Sequence, residues 1–364
     1  MHKERIILWG TGEIASQVFK ECLTINQYDI LAFIDNDDRK WGIDLFGIKI
    51  CSPQFLMENK DLIEKIVILT NSYGEIKQQI IELSSDLEIL IENKYYFYKR
   101  SILKRYSNSC NLEIKRIIRY LQTHSLGVFN YDFTEKYKFL NPEILLDESN
   151  GLYYVVHSGK RMYFSRDYQN EEDVKKYYIS ICLEQDICSP HRYLADGFFV
   201  NEDDTIIDVG VAEGNFTLSV IDCVKKAYLI EADPKWIEAL KYTFEPYKEK
   251  VVIIEKYASS YSEGDFARID SLVDENVDFI KMDIEGQEHE ALIGANELLE
   301  KTRDIKVAAC CYHSDFDQIL IETELAKHNF ECTTTNGYMW YPYTNRQAYV
   351  STKLNRGIVR GIKR

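Results

Sequence analysis

Proline is scarce in this chain, 6 among 364 residues, and no segment is dominated by glycine, serine or proline. That excludes collagenous and low-complexity architectures. Basic charge is also in deficit, with 44 Lys and Arg against 59 Asp and Glu and a formal net charge of −15. A surface of that sign repels phosphate backbones, so nucleic acid is not an expected partner. No run approaches the ~20 apolar residues of a spanning helix, so no transmembrane segment is expected. The nine cysteines (Cys22, Cys51, Cys110, Cys182, Cys188, Cys223, Cys310, Cys311 and Cys332) form no CxxC pair and no Cys/His zinc spacing. The opening apolar run within Met1–Gly10 is too short for a secretory leader. A reduced, cytoplasmic chain is the expectation. What is present is 45% hydrophobic residues and enough length for two buried cores.

Short apolar runs alternate with helical patterns in two stretches. Arg5–Trp9, Ile30–Ile34 and Ile66–Thr70 read as strands, with a helix over Ile14–Leu23. The alternation resumes with Thr205–Val209, Ala227–Ile230, Val251–Glu255, Val277–Met282 and Ile305–Cys311. Strands interleaved with helices imply parallel sheets with right-handed crossovers. Between them, Leu112–Leu121 reads as a basic amphipathic helix and Leu152–Arg166 as a hairpin turning at Ser158-Gly159. The expected class is α/β with two Rossmann-like units: residues 1–105 as a nucleotide-binding domain, 106–175 as a connecting or capping region, and 176–364 as a catalytic domain.

Gly10-Thr11-Gly12-Glu13-Ile14-Ala15 follows the first strand and opens a helix. In that context a GxGxxA turn lets a phosphate approach backbone N–H groups, and Asp35 at the end of the second strand can accept from ribose hydroxyls. Gly10, Gly12 and Asp35 are therefore a candidate nucleotide site; alternatively, the glycines serve only a tight turn and close helix packing. IILWGTGEIA, LAFIDNDDRKWGIDLFGIKICSP and IVILTNSYGEI together resemble the N-terminal Rossmann-like domains of bacterial glycan-modifying proteins, including sugar acetyltransferases. The resemblance implies a nucleotide or nucleotide-sugar ligand.

The second turn, Asp208-Val209-Gly210-Val211-Ala212-Glu213-Gly214, has an acidic strand end and glycines four apart. With no pyrophosphate to cradle, Gly210 can bring backbone close to the amino-acid end of S-adenosylmethionine, and Gly214 can let the next helix pack. Asp208 would orient the loop and the donor's ammonium; Glu231, closing the second strand, suits the two hydroxyls of an unphosphorylated ribose. Downstream, Val277–Met282 ends in Asp283-Ile284-Glu285 before a helix whose buried face is Ala291, Leu292, Ala295, Leu298 and Leu299. Asp283 sits at the ligand-bearing carboxyl edge. Glu288 and Glu290 read as solvent-facing charges favoured by the helix dipole.

DVGVAEGNFT, LIEADPKW, IKMDIEGQEHEALIGA and CCYH resemble the FkbM-type family of S-adenosylmethionine-dependent O-methyltransferases, over roughly 180–350. The resemblance implies a class I methyltransferase fold and acceptors such as sugar hydroxyls. EQDICSPHRY is similar to a subgroup motif before this core, while Val211-Ala212-Glu213 departs from the Ala-Asn-Ile of many relatives.

A sulfonium methyl is already activated, so the enzyme must align an oxygen and take its proton. His313, after the fifth strand, is the first candidate base, with His191 and Glu184 behind it and Asp283 orienting donor or acceptor. Arg192 can bind the donor carboxylate or an acidic sugar, or neutralise nearby acids. Asp283, His313 and Glu285 can instead hold a divalent metal that polarises the acceptor. Cys310-Cys311 reads as buried filler. The aromatic stretch Tyr338–Tyr343 either lines an acceptor pocket or packs as a hairpin. The basic end, with Lys353, Arg356, Arg360, Lys363 and Arg364 among Leu354, Ile358, Val359 and Ile362, suggests peripheral contact with a membrane or lipid-linked glycan. The rival functions are an NAD(P)-dependent oxidoreductase using Gly10, Gly12 and Asp35, and a non-catalytic nucleotide-binding or docking protein.

Overall fold

The structure is a computed structural model that describes residues 3–21, 28–342 and 352–364. The chain forms two compact units. The first takes in the described residues through Asn130, with Thr352 and Lys353; the second begins at Tyr131 and includes Leu354–Arg364. The helix Leu112–Leu121 falls within the first unit and the hairpin within the second, where Leu152 and Tyr163 pack with Ala239.

In the first unit, β1 (Glu4–Trp9), β2 (Tyr28–Ile34), β3 (Asp44–Leu45), β4 (Ile48–Cys51), β5 (Lys65–Ile68) and β6 (Ile91–Glu92) form one sheet in the order β3-β4-β2-β1-β5-β6. All pairs are parallel except the hairpin β3–β4. The helix Glu13–Glu21 follows the first glycine turn, and Leu23 of the expected helix lies outside the described residues. The core joins Ile7, Trp9, Ile34, Ile66 and Ile68 to Ile76 and Ile80 of the helix Tyr73–Leu83.

The second unit opens with a small antiparallel sheet, β7 (Leu145–Asp147), β8 (Leu152–His157) and β9 (Lys160–Tyr163). Ser158 and Gly159, at φ 51° and 80°, make the two-residue turn expected there, since paired positive φ values match the right-handed strand twist. Its main strands are β10 (Thr205–Val209), β11 (Lys226–Glu231) and β12 (Val251–Glu255). A two-residue pair follows, β13 (Tyr257–Ala258) and β14 (Phe266–Ala267), then β15 (Phe279–Met282), β16 (Ile305–Cys310), β17 (Glu331–Thr334) and β18 (Ile358–Lys363). The seven-stranded order is β12-β11-β10-β15-β16-β18-β17, with β18 antiparallel to both neighbours. This is the class I methyltransferase fold expected from the sequence, with two strands more than the five apolar runs announce. β10 and β15 are buried throughout, as strands covered on both faces must be. The order reverses between β11-β10 and β15-β16, which places a ligand crevice beyond the carboxyl ends of β10 and β15.

The basic end is not a surface tail. Ile358 and Val359 are buried, and the Arg360 guanidinium donates to the carbonyls of Arg192 and Tyr193 while the Lys363 ammonium donates to that of Leu299. Arg360 and Lys363 are thus engaged by backbone carbonyls. Among the described residues no helix is long and apolar enough to cross a membrane.

Candidate functional site

The second glycine turn is held from beneath by a buried ion pair. Asp208 in β10 and Lys281 in β15 are cross-strand partners, with Lys281 Nζ 3.0 Å from Asp208 Oδ1 and donating to the Gly210 carbonyl at 2.5 Å. The other Asp208 oxygen accepts from the Thr217 hydroxyl at 2.8 Å. Burial alone would push the Lys281 ammonium down, but Asp208 and Asp283 hold it above its ordinary range. Asp208 is 0% exposed, so it fixes the loop and does not face a donor ammonium. Lys281 is a residue that sequence reasoning missed; its signal is a lone cation within an apolar strand, opposite a lone acid in another.

Gly210 takes φ 73°, and a Cβ there would lie 1.9 Å from the Asp283 carbonyl oxygen. Its lack of a side chain therefore lets two chain segments cross, a different reason from approach to a donor. Gly214, at φ 84°, faces Leu240 and Phe244 and permits the packing anticipated for it. At the end of β11, Glu231 accepts the backbone N–H groups of Ala212, Ala232 and Asp233 at 2.8–3.0 Å. A carboxylate so oriented keeps lone pairs for two adjacent hydroxyls.

Asp283, just past β15, gathers the remaining candidates. Tyr193 donates its hydroxyl to Asp283 Oδ2 at 2.7 Å, His191 Nε2 lies 3.6 Å from the same oxygen, and His313 Nε2 is 3.8 Å from Oδ1. Burial would raise the Asp283 carboxyl, yet His191, Lys281 and His313 hold it below the usual range, with the Tyr193 hydrogen bond. His191 is buried against the Tyr312 hydroxyl, 3.0 Å away, and its imidazole is pushed down to about 4 by burial. It is neutral at ordinary pH and too enclosed to meet an acceptor. His313 is 3% exposed, its ring enclosed by the carboxylates of Asp283, Glu285 and Glu288.

Glu184, at the end of the helix Glu171–Glu184, keeps partial exposure and makes no hydrogen bond among the described residues. Burial, then the charges of Asp283 and Glu213, push its carboxyl up to about 8. Glu213 is itself buried and accepts from the Tyr177 hydroxyl at 2.7 Å. Glu288 is the clearest reversal: it is buried, not solvent-facing, and its Oε1 accepts the Ile284 N–H at 2.9 Å. Glu290 is partly buried and takes the Ser260 hydroxyl. In the aromatic stretch, Met339 and Trp340 are buried, while Tyr341 stacks edge-on to Tyr312 and His313 and donates to Glu285 at 3.2 Å. Tyr343 lies outside the described residues. Cys310 and Cys311 are buried and free, as expected.

The Arg192 guanidinium donates to the carbonyls of Leu194 and Gln185 and lines a cavity of about 440 Å³ with Tyr137, His157, Asn215 and Phe216.

In the first unit, Gly10, Thr11, Gly12 and Asp35 line a cavity of about 410 Å³ at the carboxyl ends of β1, β2 and β5. One oxygen of Asp35 accepts the Asp37 N–H, and the other is taken by the Thr11 hydroxyl and the Lys40 ammonium. Burial would raise its carboxyl, but those partners hold it below the usual range.

Comparison with known proteins follows the same division. Residues 2–90 match the family described as C2185-like, N-terminal. No curated protein matches the chain. Similar solved structures include the methyltransferase FkbM from Methylobacillus flagellatus KT, at 15% identity and TM-score 0.46, covering 98% of this chain and 89% of that one. Another is SMU.1697c, a putative methyltransferase from Streptococcus mutans in complex with SAH, at 15% identity and TM-score 0.32, covering 45% of this chain and 91% of that one. Residues 208–339, within the second unit, match the family described as the methyltransferase FkbM domain.

Proposed function

We propose that the chain transfers a methyl group from S-adenosylmethionine to a sugar hydroxyl, the acceptor being a precursor of a bacterial surface glycan. The observation that carries the reading is convergence: the Asp208–Gly214 turn, Glu231 and Asp283 meet at one switch point, with Glu184 beside them. Glu231 would hold the ribose hydroxyls, and the turn would carry the amino-acid end of the donor. When bound, the donor supplies an activated methyl on a cationic sulfonium.

The rest is the work of this chain's residues. Asp283, fixed by Tyr193 and flanked by His191 and His313, presents a directed carboxylate to the crevice. Glu184 accepts the hydroxyl proton, because an unbonded carboxyl with a raised pKa is a stronger base than an ordinary one. Tyr341 lends an aromatic wall beside Glu285. The cavity at Gly10–Gly12 would take a nucleotide or nucleotide sugar, with Lys40 as a cation near the turn for phosphate.

Incubation with labelled donor and a panel of nucleotide sugars and extracted glycans, followed by mass analysis, tests the reading. A labelled sugar is expected. Glu231→Ala should weaken donor binding by about 1.5–3 kcal/mol in calorimetry, the worth of charge-assisted hydrogen bonds. Unchanged donor affinity in a folded variant would remove Glu231 from the site.

A further inference from the structure

His313 is surrounded by carboxylates and satisfied by none of them. Its Nε2 lies 3.5 Å from Glu285 Oε2 and 3.8 Å from Asp283 Oδ1, and its Nδ1 lies 3.5 Å from Glu288 Oε1. Among the described residues neither ring nitrogen has a hydrogen-bond partner, although the residue is 3% exposed. Glu288, 1% exposed, likewise has no partner for its Oε2 among them. Buried polar atoms left this way cost free energy unless something else completes them.

The charge balance is equally incomplete. Three carboxylates face one imidazole, and the neighbouring cation, Lys281, is committed to Asp208 and the Gly210 carbonyl. One ligand atom each from Asp283, Glu288 and His313 lie within 4.8 Å of one another. An ion about 2.1 Å from each ligand needs separations of roughly 3–4.2 Å, so a closure of under about 2 Å completes the set.

We propose that Asp283, Glu288 and His313 form a binding site for a divalent cation, with Glu285 able to join from the exposed side. Two carboxylates and one imidazole suit a cation that accepts oxygen and nitrogen together, of the Mn²⁺ kind, better than Ca²⁺. Of the three ligands only Asp283 reaches the crevice, its side chain 21% exposed, so the open coordination positions face the place where an acceptor oxygen would sit. That last role rests on the methyl-transfer reading; the binding itself does not. The second trio at this site, His191, Asp283 and Cys310, is set aside because the His191 Nε2 is already engaged by the Tyr312 hydroxyl.

The test uses the full chain, stripped with a chelator and titrated with MnCl₂, with free Mn²⁺ read by electron paramagnetic resonance. One tight equivalent is expected, displaced competitively by Zn²⁺, with Glu288→Gln and His313→Asn each weakening it by roughly tenfold or more. Thermal melts show whether each variant folds, and Mn²⁺ should raise the melting temperature of the parent but not of the variants. The idea is overturned if the parent binds no stoichiometric Mn²⁺, or if either folded variant binds as tightly as the parent. In that event the cluster holds no ion. Calorimetry with S-adenosylmethionine on the stripped protein reads the methyltransferase assignment separately: donor binding without Mn²⁺ binding discards the cation site alone.

Discussion

Glu184 shows how much a single side chain depends on what surrounds it. In sequence it is one acid among 59; in the fold, burial and the charges of Asp283 and Glu213 lift its carboxyl to about 8. A base must be unprotonated to act, so kcat/KM should rise with pH and level off above about 8. The bound sulfonium favours the carboxylate, so the limb in kcat should lie lower. Glu184→Gln should remove the limb and lower turnover by roughly 10²- to 10⁴-fold with donor affinity kept. Full turnover and an unchanged pH profile would return the proton to another group. Sequence reasoning reached Asp283, His313 and Glu184 because strand ends and short motifs fix their neighbourhood. It could not rank them by exposure, because whether an imidazole faces a crevice or a wall depends on neighbours such as Tyr312 and Glu288 that other elements bring in.

Among the elements, strands with unbroken apolar runs were legible nearly to the residue: Thr205–Val209 and Val251–Glu255 appear as read. β17 and β18 were not, since Glu331–Thr334 alternates exposed with partly buried positions and Ile358–Lys363 carries charges that a surface tail would also carry. The helix after Asp283 is likewise broken in two, Glu288–Ile293 and Asn296–Lys301, although its predicted buried face is correct. The crossing of the β10 turn over the end of β15 yields the sharpest prediction at this scale. Gly210→Ala combines a left-handed φ with a Cβ inside contact distance of backbone, which should cost about 2–5 kcal/mol. Amide hydrogen exchange across β10 and β15 would register it as faster opening. Exchange equal to the parent's would mean that the crossing is not as tight as described.

For the whole molecule, the two sheets, each with its own core, were anticipated, whereas the division near residue 130 was not. Apolar periodicity locates a helix but does not say which core it serves, and Leu112–Leu121 was legible only as a helix. The two units should be separable in function. A side chain at Gly12 meets nothing within 4 Å and would project into open space beside the first cavity. Gly12→Val should therefore abolish binding of a nucleotide sugar there while leaving donor affinity in the second unit unchanged by calorimetry; a large loss of donor affinity would mean the sites are coupled. The position of β18 has a consequence in time as well as in space. β18, later in sequence than both of its partners, is an interior strand of the sheet, bonded to β16 on one side and β17 on the other. Until residues 358–363 have left the ribosome, both neighbours present unpaired edges, and the nascent second unit remains a template for pairing with other chains. A chaperone holding that half-built sheet would have to let go only after β18 emerges.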